Sequence, residues 1–236
     1  MTTIRDCIAP DRNPKVPSIK LPEGSIDTHV HIFESQYPLF EGRGYNPPDS
    51  TLDDLKHLHS QLGVSRVVYT QPSPYGVDNS AILKGMKVMN DETPGRARGV
   101  CAIKMDVSDD FLEDLDKQGI KGVRLNMDNI GGMPIGLDEI PTLEARIKDL
   151  GWHVEYLFPG KDIVELAPIF KKSSVPISIA HFAYQPATNG INSEGFKTLL
   201  DLVRDGNTWI KISGANRVSE TDLPPYDDVM PMARAL

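Results

Sequence analysis

The residues best suited to chemistry open on the run Asp27-Thr28-His29-Val30-His31. Side chains alternate along a strand, so His29 and His31 face the same side. Two imidazoles at i and i+2, near a strand's C-terminal end, can grip one metal ion or one anionic substrate. The plainer reading of a bare H-x-H is a half-buried pair bonded to backbone. His57 and His59 repeat the spacing inside a helical stretch, Leu52 to Leu62, where i and i+2 do not share a face. Both are expected to be exposed to solvent. His181 ends the apolar run Pro176-Ile177-Ser178-Ile179-Ala180, which places an imidazole at a strand's C-terminal end or leaves it as a capping residue.

Arg124 lies within the short β run Gly122-Val123-Arg124-Leu125-Asn126, and Arg217 follows Ile212-Ser213-Gly214-Ala215-Asn216. A guanidinium in a strand is costly to bury unless paired, and its planar fork binds carboxylates bidentately. Each arginine is therefore a candidate substrate clamp or a structural ion pair. His153 and Glu155 share one strand face, while Trp152, Val154 and Tyr156 share the other; alternation alone does not say which set faces inward. The polar stretch Gln71 to Asn79 can offer Ser73 and Tyr75 to a substrate, with Asp78 or Asn79 capping the next helix. Cys101, among Val100, Ala102 and Ile103, reads as a small core residue.

These residues need elements to hold them, and the chain supplies an alternating array. The β-rich runs are Ser25–Phe33, Ser65–Gln71, Arg98–Lys104, Gly122–Asn126, Trp152–Phe158, Val175–His181 and Trp209–Ser213. Helical stretches lie between them at Leu52–Leu62, Asn79–Met89, Asp109–Gln118, Ile140–Leu150, Lys161–Lys171 and Ser193–Arg204. The first is expected to be capped by Ser50 and stopped by Gly63. Strands alternating with helices imply parallel pairing through βαβ crossovers. No Gly-rich phosphate loop follows the first strand, so a (β/α)8 TIM-like barrel is favoured over a doubly wound sheet. Seven such runs are one short of eight, so the barrel reads as lacking its last strand and helix. Residues 1–24, rich in Pro, Lys and Asp, read as an extended N-terminal arm, and 25–236 as the barrel domain.

The balance of 25 Lys and Arg against 33 Asp and Glu gives a formal charge of −8. That charge offers no electrostatic attraction to nucleic acid or to an anionic membrane. No apolar run approaches the roughly 20 residues that span a bilayer. Two cysteines are too few for a disulfide framework. A reduced, cytoplasmic protein is the expectation.

Ile26-Asp27-Thr28-His29-Val30-His31-Ile32-Phe33 resembles the opening strand of the amidohydrolase superfamily. Further matches are Gln71 to Asn79, Gly122-Val123-Arg124, Gly151-Trp152-His153-Val154, Ile179-Ala180-His181-Phe182 and Trp209-Ile210-Lys211-Ile212-Ser213-Gly214. Together they resemble the amidohydrolase-2 branch that includes pyrone-dicarboxylate lactonase, sulfomuconolactone hydrolase and galactarolactone isomerase. The resemblance implies a distorted barrel and hydrolysis of a small anionic lactone. It assigns His29, His31 and His181 to carbonyl polarisation, directly or through one divalent metal such as Zn; the pyrone branch is understood to work without metal. Arg124 and Arg217 would hold carboxylates, and Tyr156 or Glu155 would fill the fifth-strand position. Strand four carries Arg124 where other amidohydrolases have a carboxylated lysine, which speaks against two metals. The water-activating aspartate would lie on an eighth strand, past Leu236. The alternatives are an inactive or ligand-binding fragment, its two open strand edges favouring a homo-oligomer, and a metal-dependent decarboxylase.

Overall fold

Local signals set where each helix starts and stops. The computed structural model describes residues 4–128 and 135–236. Helix α1, Leu52–Leu62, is capped by Thr51 rather than Ser50. Thr51 Oγ1 accepts from Asp54 N–H and Asp54 accepts from Thr51 N–H, a capping box that Ser50, one residue earlier, cannot close. The helix stops at Gly63, whose φ of 79° is the left-handed conformation glycine adopts without penalty.

The chain divides into two compact units. In the first, β2 (Ile26–Val30), β4 (Arg66–Thr70), β5 (Ala97–Cys101) and β6 (Ile120–Asn126) pair in that order, all parallel. Helices α1, α2 (Ser80–Glu92) and α3 (Asp109–Lys117) alternate with them. Val67, Tyr69, Ile82, Met86, Val100 and Leu112 form the buried centre. Cys101 is fully buried there, and burial pushes its thiol up to about 12. A short strand β1 (Arg5–Asp6) pairs with β3 (Tyr45–Asn46), and Arg12 grips Asp54 at the start of α1. The N-terminal arm is thus strapped along its own unit.

The second unit takes the end of β6 from Leu125 and continues from Ile135. It pairs β7 (His153–Leu157), β8 (Ile177–Ile179) and β9 (Thr208–Ile210), again parallel and in chain order. Helices α4 (Ile140–Ile147), α5 (Ile163–Phe170), α6 (Glu194–Arg204) and α7 (Met230–Ala235) belong to it. Phe196, Leu199 and Leu202 give α6 one apolar face, and all three are buried. Burying each such side chain contributes about 1.5–3 kcal/mol.

Strand order within each unit follows chain order without reversal. A doubly wound sheet would reverse direction at a switch point. The observed winding is that of an α/β barrel. Among the described residues no helix is long and apolar enough to cross a membrane.

Candidate active site

The first cluster is built at the C-terminal ends of β2 and β4. Asp27 pairs with Val67 and Val30 with Tyr69, so β2 carries one residue more than β4 over this step. This bulge breaks the alternation that would put Asp27 on the side of both histidines. The Asp27 carboxylate instead meets Nε2 of His59 on α1, at 3.2 Å, and also accepts from His29 N–H. His29 and His31 do come together. Their rings meet edge to face and their Nε2 atoms lie 3.3 Å apart.

His31 Nδ1–H donates to the carbonyl of Thr70 at 2.7 Å. A carbonyl only accepts, so the proton of neutral His31 sits on Nδ1 and its Nε2 carries a lone pair. The next carbonyl, of Gln71, accepts from the buried Arg124 guanidinium at 2.8 Å. The end of β4 therefore fixes both a histidine and an arginine through successive backbone carbonyls. Gln71 is held in turn by Nε2–H bonds to the carbonyls of Gly76 and Asp78. Asn79 spans to Ala102 by a reciprocal amide pair rather than capping α2 with its side chain.

The donor set of this cluster fits part of a zinc site. Two nitrogens about 2.1 Å from one tetrahedral ion lie roughly 3.4 Å apart, and a backbone carbonyl on the other ring nitrogen is the usual support. Among the described residues no group of three or more His, Cys, Asp or Glu is gathered as a metal would require.

Ser73 and Tyr75 are both buried, at 5% and 3% exposure. The Tyr75 hydroxyl accepts from Glu34 N–H and donates to Glu34 O, so it ties down the loop after β2. Burial raises its pKa, and the phenol keeps its proton. Phe33, Tyr37, Tyr75 and Arg43 line a cavity of about 420 Å³ beside it.

The second cluster belongs to the other unit. His181 is 9% exposed, and its Nδ1 lies 3.0 Å from Ser213 Oγ. His181, Phe182, Ala183 and Tyr184 take φ values of 53°, 54°, 52° and 48° in succession. This is a left-handed turn built without glycine, at a cost of about 1–2 kcal/mol per residue. It carries Tyr184 to Arg217, whose NH1 donates to the Tyr184 hydroxyl at 3.3 Å and whose guanidinium lies 5.9 Å from the ring centre. Arg217 itself is exposed.

On β7 the structure separates the two faces. Tyr156 packs on Phe170 of α5, ring centres 4.6 Å apart, and its hydroxyl is buried beneath the helix layer. Desolvation raises its pKa strongly. Glu155 lies on the opposite face, fully buried, in an ion pair with Lys211. Of the two alternatives for the fifth-strand position, only Glu155 therefore stands among charged partners.

Two residues escaped the sequence reading. His59 was expected to be exposed like His57; His57 is exposed, but His59 is 1% exposed and bonded to Asp27. The signal was present: Leu55, His59 and Leu62 recur at i, i+4 and i+7, the spacing of a buried helical stripe. Lys211 lies in the run Trp209-Ile210-Lys211-Ile212, where nothing local marks it as a partner of Glu155.

Residues 26–236 match the amidohydrolase family. The chain is 34% identical over 232 residues to a 2-pyrone-4,6-dicarboxylate hydrolase of Comamonas testosteroni, covering 94% of this chain and 75% of the relative. It is 33% identical over 233 residues to a 4-sulfomuconolactone hydrolase of Hydrogenophaga intermedia, covering 98% and 75%. A crystal structure from Acinetobacter baumannii, described as a probable 2-pyrone-4,6-dicarboxylic acid hydrolase with citric acid bound, superposes with a TM-score of 0.76 at 28% identity, covering 90% of this chain and 77% of that one. The chain spans about three-quarters of the length of these relatives. With the family matched over nearly the whole chain and the strand-end histidine pair in place, this chain belongs to the amidohydrolase family of enzymes.

Proposed function

We propose that the chain opens a small lactone bearing carboxylates, by water attack on the ester carbonyl. Water adds to the carbonyl carbon, the ring carbon–oxygen bond breaks, and the leaving oxygen takes a proton. The product is a ring-opened carboxylate. The observation that carries this reading is the His29–His31 pair, with Nδ1–H of His31 committed to Thr70 O and both Nε2 atoms directed to one place. Negative charge develops on the carbonyl oxygen in the transition state, and a cation ligated by the His31 Nε2 lone pair, or an imidazolium N–H, beside it would lower the barrier. His181 takes the same part in the second cluster.

Arg124 and Arg217 are the carboxylate clamps. Arg124 is braced by Gln71 O, and Arg217 by Tyr184, so each guanidinium is oriented before substrate arrives. The likeness to relatives named for a pyrone dicarboxylate and a sulfomuconolactone supports an anionic substrate of that class. One divalent ion such as Zn fits His29 and His31 as two of its ligands, and when bound it would supply Lewis acidity to the carbonyl. A soluble cytoplasmic enzyme that self-associates completes this reading.

The test is a pH-stat assay on 2-pyrone-4,6-dicarboxylate and on 4-sulfomuconolactone, with metal content measured on protein purified without chelator. Release of acid, one equivalent per ring opened, is the expected result. Carbon dioxide without net ring opening would make the protein a decarboxylase instead, and no reaction with either lactone would contradict the reading.

A further inference from the structure

Four consecutive left-handed residues without glycine do not hold themselves in place; the surroundings must impose them. The contacts that do so are specific. Phe182 N–H donates to Lys211 O at 3.0 Å and Gln185 N–H to Phe182 O at 3.1 Å. The side-chain amide of Gln185, 4% exposed, donates through Nε2 to Gly160 O at 2.6 Å and to Ala183 O at 3.4 Å. A Cβ on Gly160 would land on the carbonyl oxygen of Tyr184. Gly160 has no positive φ, so its backbone would accept alanine; the closeness of the Tyr184 and Ala183 carbonyls forbids one.

From these contacts we infer that Gln185 and Gly160 are positioning residues: they clamp the left-handed turn that aims the His181 imidazole and seats Tyr184 against Arg217. Neither touches the reacting atoms. Gln185 works through two carbonyls, one on the turn and one on the segment after β7. Gly160 works by leaving room for the turn's last carbonyl. The amide also needs space of its own, which Gly195 leaves at the start of α6, where a side chain would collide with Gln185 Oε1. The kinetic consequence rests on the lactone-hydrolase reading, whereas the geometric one does not.

The test uses Gln185→Leu, similar in size but without donors, and Gly160→Ala. Each is measured for kcat, KM and Tm, and for the His181 ring resonances in a long-range 1H–15N spectrum assigned with His181→Gln. A misplaced catalytic group costs rate rather than binding. The expected result is a kcat lowered at least about tenfold, a KM changed less than about threefold, and His181 ring signals that move while those of His57 stay. The spectrum reports even if the protein opens no lactone, so failure of the functional reading is separable from failure of this one. Folded variants with kcat within about twofold of the parent, or with unmoved His181 signals, would overturn the inference. Unfolding of both variants would do the same, because the contacts would then be structural only.

Discussion

Both units present histidine from the end of a strand, but by opposite means. In the first, His31 follows a strand that is bulged against its neighbour but free of left-handed residues, and its ring is fixed by one bond to that neighbour's backbone. In the second, His181 opens a strained turn held by residues from two other segments, after β7 and after β9. The polar groups around them differ too. The first cluster is anchored by the carbonyls of Thr70 and Gln71 and by the partly exposed Asp27 carboxylate, whereas the second contains a fully buried Glu155 paired with Lys211. A relaxed support confines sensitivity to the residues it touches. A strained support spreads sensitivity to glycines and amides distant in sequence.

The sharpest way to break this comparison is to remove each histidine. His31→Ala is expected to lower kcat/KM on an anionic lactone by about 10²–10³-fold, the scale on which losing one group that stabilises a developing oxyanion is felt. His181→Ala is expected to match it, and a tenfold gap between them would show that one unit carries the chemistry alone. Next in size is the buried ion pair. Lys211→Met removes the cation paired with the buried Glu155 carboxylate and is expected to destabilise the fold by about 3–5 kcal/mol, read by denaturant unfolding.

The corresponding change in the first unit is smaller. Asp27→Asn weakens the His59 contact and the bond to His29 N–H without burying a lone charge, and about 1–3 kcal/mol is expected. Equal losses for the two variants would erase the distinction between the two supports. Arg217→Ala is expected to raise KM about tenfold with a smaller change in kcat, since it removes a carboxylate clamp. Smallest is the thiol contrast within the first unit: iodoacetamide at pH 8 is expected to label Cys7 and leave Cys101 unmodified, because burial holds the Cys101 thiol at about 12.

The array of strands and helices was legible because its signals are local. Apolar runs, capping residues and Gly63 mark their own elements, and all seven β-rich runs from Ser25 onward became strands. The misplaced cap shows the limit: Ser50 and Thr51 differ only in which reaches Asp54. Most of the candidate site was legible as residue types at strand ends. What was not legible depends on pairing between distant segments. The bulge that separates Asp27 from the histidines exists only against β4. Which face of β7 carries Glu155 is set by α5. The turn His181–Tyr184 contains no glycine, asparagine or aspartate, so its conformation is imposed by Gly160, Gln185 and Lys211.

The measurement that tests the account most directly is turnover of 2-pyrone-4,6-dicarboxylate by the parent protein and by His31→Ala, side by side, with folding of both checked by circular dichroism. The expected result is acid release by the parent and a loss of at least about 100-fold in the folded variant. A folded His31→Ala protein that opens the lactone within about twofold of the parent rate would contradict it.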